Sequence, residues 1–232
     1  MAFLGFDIEI SNVFDLRPGE DLDAYAPFDI SVAATHLDGG ESRLWLSRGS
    51  DGTPLKNLSR DHARELLDYL QKMQTDGHGL VAWNGLSFDL RWIGHVAADP
   101  GMAGRIALGM YDPMFQFFKI KGFPVGLAAV GKGMGIATSK SMNAADAPSR
   151  WCAGDHDAVC TYVQGDARMT VEIVSAIQRR REIAWVTRRG TLSAAPIPRL
   201  RTVEECLGDP MPDQSWMDTP IPQEKFAGWL KH

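Results

Sequence analysis

Two of the most apolar stretches of this chain run directly into acids, and that limits what it can fold into. The first is Phe3-Leu4-Gly5-Phe6, which leads into Asp7-Ile8-Glu9. The second is Gly79 to Trp83, followed by Asn84-Gly85-Leu86-Ser87-Phe88-Asp89. A third segment, Tyr162-Val163-Gln164-Gly165-Asp166, comes late in the chain. Unpaired buried charge is costly, so four carboxylates and a tyrosine converging on one point make a poor core. They make a good cage for two hard divalent cations, which take oxygen ligands.

The geometry within each segment supports convergence. Asp7 and Glu9 lie two apart on an expected strand and so share a face. An Asp-x-Glu pair arises by chance about once in 250–300 positions and alone reads equally well as a solvated strand end. Asn-x-x-x-Phe-Asp is far rarer, on the order of one in ten thousand positions, and it falls where an apolar strand gives way to a helix. Phe88 is expected to point into the core and turn Asp89 toward the strand end. Asn84 is read either as a turn former or as a substrate contact. Tyr162 and Asp166 are four apart on a long helical pattern and therefore neighbours on one face.

The rest of the chain reads as an α/β domain. Strands are expected at 3–11, 30–37 and 43–46, the last two joined through Asp38-Gly39-Gly40 as part of an antiparallel meander. Residues 12–28 carry Pro18-Gly19 and Pro27 and read as a long loop. Ser59 opens an amphipathic helix that Gly77 closes. A buried strand at 79–83, a helix at 88–97, a fifth strand at 106–111, short helices at 115–118 and 127–134, and a long helix at 156–181 follow. The sum is a mixed sheet, three antiparallel strands and then parallel ones, flanked by helices. After Arg189 six prolines accumulate, so residues 1–189 read as the domain and 190–232 as an extended C-terminal arm packed on it.

The three segments resemble the three exonuclease motifs of the DEDD superfamily, and the tyrosine places the resemblance in the branch called DEDDy, of the ribonuclease-H-like fold. The pattern is similar to the proofreading exonuclease domain of family B DNA polymerases and to stand-alone relatives, over roughly residues 1–185. The stretch from Leu127 to Ile136 resembles the helix that precedes the last motif. This resemblance implies a 3′-to-5′ exonuclease acting on single-stranded 3′ ends, with two Mg²⁺ or Mn²⁺ ions held by Asp7, Glu9, Asp89 and Asp166, and with Tyr162 orienting the attacking water. DNA is the first expectation for the substrate and RNA the alternative; nucleoside 5′-monophosphates are the expected products. Where the family often has Thr soon after the first motif, this chain has Ile10-Ser11, so Ser11 is expected to present its backbone. With no polymerase segment in the sequence, the chain is expected to act alone or with a polymerase or repair partner in trans.

Two other functions fit the same fold: a binding module that has lost catalysis, and an endonuclease. All five motif positions are filled, which argues against the first. The Asn-x-x-x-Phe-Asp and Tyr-x-x-x-Asp segments argue against the second. The net charge of −5 is unusual for a nucleic-acid partner, but a metal site would absorb several of the acids. Arg179-Arg180-Arg181, Arg188-Arg189, Arg199 and Arg201 read either as a solvated face or as a phosphate track.

Weaker signals complete the reading. Three scattered cysteines point to a reducing cytoplasm. The N-terminus reads as a strand, not a signal peptide, and no apolar run approaches the ~20 residues a membrane span needs. Cys152, His156 and Cys160 invite a zinc reading, but a buried cysteine pair beside a surface histidine is favoured. Gly131-Lys132-Gly133-Met134-Gly135 lacks the ending of a phosphate-binding loop. Lys140, after Ser139, reads as a solvated lysine or a phosphate contact, and Trp216 and Trp229 as anchors of the arm or as base-stacking rings.

Overall fold

The structure, a computed structural model, describes residues 1–15, 17, 20–136 and 142–231. Its central strand, β1 (Phe3–Ile10), is covered on both faces. β1 pairs antiparallel with β2 (Ile30–Leu37), which pairs antiparallel with β3 (Ser42–Trp45). On its other edge β1 pairs in parallel with β4 (Gly79–Val81). Among the described residues the main sheet therefore runs β3-β2-β1-β4. No helix among them is long and apolar enough to cross a membrane.

Helix α1 (Arg60–Thr75) starts where Ser59 accepts a hydrogen bond from the His62 N–H, and it buries Ala63, Leu66, Leu67 and Leu70. Helix α2 (Asp89–Val96) follows β4 directly. The fifth strand expected at 106–111 is instead mostly helix: α3 spans Pro100–Gly109. Its start is set by Asp99, whose carboxylate accepts from the Met102 N–H, and by Pro100 in the first turn, where a missing N–H costs nothing. Only Tyr111 retains strand character, as a single parallel bridge to Val81. Helices α4 (Pro113–Lys121), α5 (Leu127–Met134), α6 (Ala147–Cys152) and α7 (His156–Arg180) follow.

The position of α7 matters most. In β1–β2, Asp7 lies opposite Ala34 and Glu9 opposite Val32, and residues opposite one another share a face of the sheet. Val32 and Ala34 pack with Tyr162, Val163 and Ala167 of α7. Asp7 and Glu9 therefore face α7. Gly5, two residues earlier on the same face, makes the approach possible: a Cβ there would lie 2.3 Å from the Ala167 carbonyl oxygen and 2.7 Å from Val171 Cγ2.

The C-terminal stretch is more structured than its prolines imply. β5 (Glu182–Val186) and β6 (Leu192–Pro196) form an antiparallel hairpin across the boundary expected at 189. Two short helices, α8 (Val203–Leu207) and α9 (Glu224–Ala227), come after it. Thr202 and Glu205 form a reciprocal capping box on α8. The segment is held down by specific bonds: Lys119 Nζ donates to the Asp209 carbonyl (2.9 Å) and to Gln223 Oε1 (2.6 Å), and the Trp229 indole N–H donates to the Leu86 carbonyl (2.7 Å). Phe226 packs on Phe115 and Phe118.

Because a backbone oxygen cannot rotate away, Gly5→Ala is expected to push α7 off β1. Overpacking of this kind costs about 1–3 kcal/mol, which thermal denaturation would read as a Tm lower by roughly 2–4 °C per kcal/mol. An unchanged Tm would mean that the β1–α7 contact is looser than described.

Candidate active site

The three acidic segments meet at one cavity of about 570 Å³, whose lining includes Asp7, Glu9, Asn84, Asp89, Tyr162 and Asp166. Each comes from a different element: the second half of β1, the first turn of α2 and the first half of α7. Asp89 is 2 % exposed, and its Oδ1 accepts the Ile8 backbone N–H at 3.0 Å. That bond ties the start of α2 to β1 between Asp7 and Glu9.

The electrostatics are those of acids held together. Burial, then the carboxylates of Asp89, Asp166 and Glu9, push the Asp7 carboxyl well above its ordinary range. Glu9 is raised by burial and by Asp166 and Asp89. Asp89 is pushed up to about 8, by burial first and Asp112 second, against the lowering effect of its backbone hydrogen bonds. Tyr162 is raised by burial and by Asp166, to which its hydroxyl is hydrogen-bonded, so it remains a neutral donor. Among the described residues no lysine or arginine pairs with Asp7, Glu9 or Asp89.

An all-oxygen, anionic donor set of this kind suits Mg²⁺ or Mn²⁺. It is not a closed cage: among the described residues no three His, Cys, Asp or Glu side chains stand ready to hold a metal.

The lining also has an apolar part: Val13, Phe14 and Leu22 from the 12–28 loop, with Trp83 and Phe88. Phe14 packs on Phe28, which in turn contacts Phe88 and Trp92. Phe88, expected in the core, packs against it while remaining half-buried, and it also lines the cavity. The loop also contains a short 3-10 turn, Leu22–Tyr25, which its proline content concealed.

Asp112 supplies a support that motif reading missed. Fully buried, it accepts hydrogen bonds from the backbone N–H groups of Asn84, Leu86, Met114 and Phe115 at 3.1–3.2 Å. It thus caps α4 and braces the Asn84–Leu86 loop at once. Burial, opposed by those four bonds, pushes it up to about 6. The Asp112-Pro113 pair, a helix-start signal, was present in the sequence but was read as a strand end.

The remaining candidates are dispersed. Asn84 sits at φ 70° and its Oδ1 accepts the Ser87 hydroxyl at 2.7 Å; Asn tolerates this left-handed conformation, and the side chain still lines the cavity. Ser11 does not line it. Its hydroxyl donates to Asn57 Oδ1 (2.7 Å) and its N–H to the Asp29 carbonyl (3.0 Å), so the backbone role expected of it is already occupied. Lys140 lies outside the described residues. Cys152 is exposed and Cys160 half-buried, so the expected buried cysteine pair is not formed. His156 instead rests against Trp151.

No family model matches the sequence, and no curated protein is similar to it. Among solved structures, the chain resembles the family B DNA polymerase from the hyperthermophilic archaeon Pyrobaculum calidifontis, with a TM-score of 0.51 and 16 % identity. The match covers 76 % of this chain and 24 % of the polymerase. A second structure, exonuclease I, aligns over 77 % of this chain and 41 % of its own at 13 % identity and a TM-score of 0.43. The chain thus spans about a quarter of the polymerase it matches. What the comparison with the polymerase shows is the fold: an α/β, ribonuclease-H-like mixed sheet flanked by helices.

If the acids repel one another as described, Asp7→Asn is expected to raise the Tm measured in EDTA, by about 2–4 °C per kcal/mol of relieved repulsion. Mn²⁺ is expected to raise the Tm of the unaltered protein and to have little effect on the variant. A variant less stable than the parent in EDTA would mean that Asp7 is held by favourable partners.

Proposed function

We propose that the protein is a metal-dependent 3′-to-5′ exonuclease of the DEDDy kind, hydrolysing single-stranded nucleic acid from its 3′ end to nucleoside 5′-monophosphates. The observation that carries this reading is the meeting of Asp7, Glu9, Asp89, Asp166 and Tyr162 in one cavity that Phe14, Trp83 and Phe88 also line. Acids and rings in one cavity suit a terminal nucleotide, which has a phosphodiester to be cut and a base to be stacked.

The four carboxylates would hold two Mg²⁺ or Mn²⁺ ions. When bound, such ions lower the pKa of water and stabilise charge on the attacking and leaving oxygens of an in-line displacement. The protein's own groups do the rest. The Ile8 N–H fixes Asp89 against β1. The Tyr162 hydroxyl, beside Asp166, would orient the attacking water. Phe14 and Phe88 would receive the terminal base, and Asn84 would contact it or its sugar. The water oxygen joins phosphorus, the bond from phosphorus to the 3′ oxygen breaks, and that oxygen takes up a proton to leave the shortened strand with a 3′ hydroxyl. DNA is the favoured substrate and RNA the alternative.

Purified protein with 5′-labelled single-stranded DNA and RNA is expected to give ladders that shorten from the 3′ end with Mg²⁺ or Mn²⁺ and not with EDTA. Asp7→Asn is expected to abolish them, and Tyr162→Phe to slow them roughly 100-fold, as for a misplaced reactant. Binding without degradation under every metal condition would make the protein a binding module on this fold. Cleavage of a circular single strand would make it an endonuclease.

A further inference from the structure

The carboxylate-lined cavity has neighbours. Trp83 and Asn84 line it and also line a second depression of about 450 Å³. That depression shares Pro124, Val125, Gly126 and Ile221 with a third, of about 760 Å³. The three adjoin one another as a trough, from the carboxylates to the β5–β6 hairpin and the C-terminal segment. Its far end is built from Phe123, Trp185, Trp216 and Arg188.

Trp216 is the telling residue. It is 61 % exposed, yet its indole N–H donates to the Asp213 carbonyl at 3.2 Å and its ring meets Phe123 edge-on at 5.9 Å. An exposed ring held by its nitrogen and by one perpendicular ring contact keeps most of its surface open in a fixed orientation, at little further entropic cost on binding. Arg188, exposed on the hairpin turn, pairs with no carboxylate among the described residues. Midway, the Lys225 ammonium pairs among the described residues with Asp21, at 3.0 Å and in solvent, a contact of small worth that a phosphate can replace.

We propose that this trough is a second binding site, which takes the single strand upstream of the 3′ terminus, with a base stacked on Trp216 and the backbone met by Arg188 and Lys225. The proposal rests on the nuclease reading for the direction of the strand. Its occupant is a single-stranded nucleic acid because the trough adjoins the carboxylate-lined cavity and because an exposed aromatic ring beside exposed cations fits bases and phosphates. A peptide groove of the same apolarity would have no use for that adjacency.

The test is fluorescence anisotropy of labelled oligo(dT) and oligo(U) in EDTA, where nothing is cut, using the full chain. The unaltered protein is expected to bind a long strand (about 20 nucleotides) more tightly than a short one (about 4), and Trp216→Ala to weaken the long strand at least about fivefold, the loss of one stacked base. Trp216→Phe is expected to retain most of the affinity, and Leu192→Ala, an exposed apolar change outside the trough, all of it. Arg188→Ala is expected to lower the salt dependence by about 0.7 in log–log slope, one phosphate on a single strand. Equal affinity of Trp216→Ala and parent for the long strand, or no gain with length in the parent, overturns the proposal. The two readings fail separately. Strand shortening by a Trp216→Ala protein of unaltered affinity removes the trough and leaves the nuclease, whereas Trp216-dependent binding with no shortening under any metal removes the nuclease and leaves the trough.

Discussion

The structure depends on acids being kept together at the edge of a core. Burial and mutual repulsion drive Asp7, Glu9 and Asp89 toward protonation, so the scaffold must hold them in place against a standing cost. It does so with contacts that involve few of the acids' own atoms. Gly5 lets α7 lie against β1, the Ile8 N–H ties Asp89 to the same strand, and Asp112 braces the loop that leads into α2. Acids buried together in this way lower stability locally, and the surrounding fold offsets it.

The two parts of the cavity lining have different origins. The acidic part comes from the sheet and two helices, which are rigid elements suited to precise placement. The aromatic part of the lining joins Phe14 of the 12–28 loop to Trp83 and Phe88 from the segment between β4 and α2; the loop is anchored by Phe14 on Phe28 and by Asn12, whose side chain accepts the Asp29 N–H at 2.7 Å. The C-terminal segment adds a third component. It is latched through Lys119, Gln116 and Trp229, and it extends the surface leading away from the carboxylates. Sheet, loop and C-terminal segment thus each contribute to a set of adjoining cavities.

Much of this was legible in the sequence because it follows from periodicity and local chemistry. The alternation of β1, the Ser59 cap and the stripe of the long helix map onto elements within a residue or two. What was missed depends on tertiary context. Ile106 to Tyr111 has the composition of a strand, but Asp99-Pro100 starts a helix that consumes most of it. The prolines after 189 concealed a hairpin, because Thr187 and Gly190 close its turn just before they begin. The burial of Ser11 behind Asn57 and the double role of Asp112 involve partners tens of residues away, and no local pattern encodes them. The juxtaposition of Asp7, Glu9, Asp89 and Asp166 was legible only as a similarity of motif order. Gly5, on which that juxtaposition depends, carried no signal beyond being a glycine inside a strand, a hint of close backbone approach.

The central claim is that these four carboxylates gather around divalent cations. It is tested most directly by diffraction from crystals soaked in Mn²⁺, collected where manganese scatters anomalously. The account predicts anomalous peaks in the cavity, within coordinating distance of Asp7, Glu9, Asp89 and Asp166 oxygens. A map with no peak there, or with manganese bound only elsewhere on the surface, would contradict it.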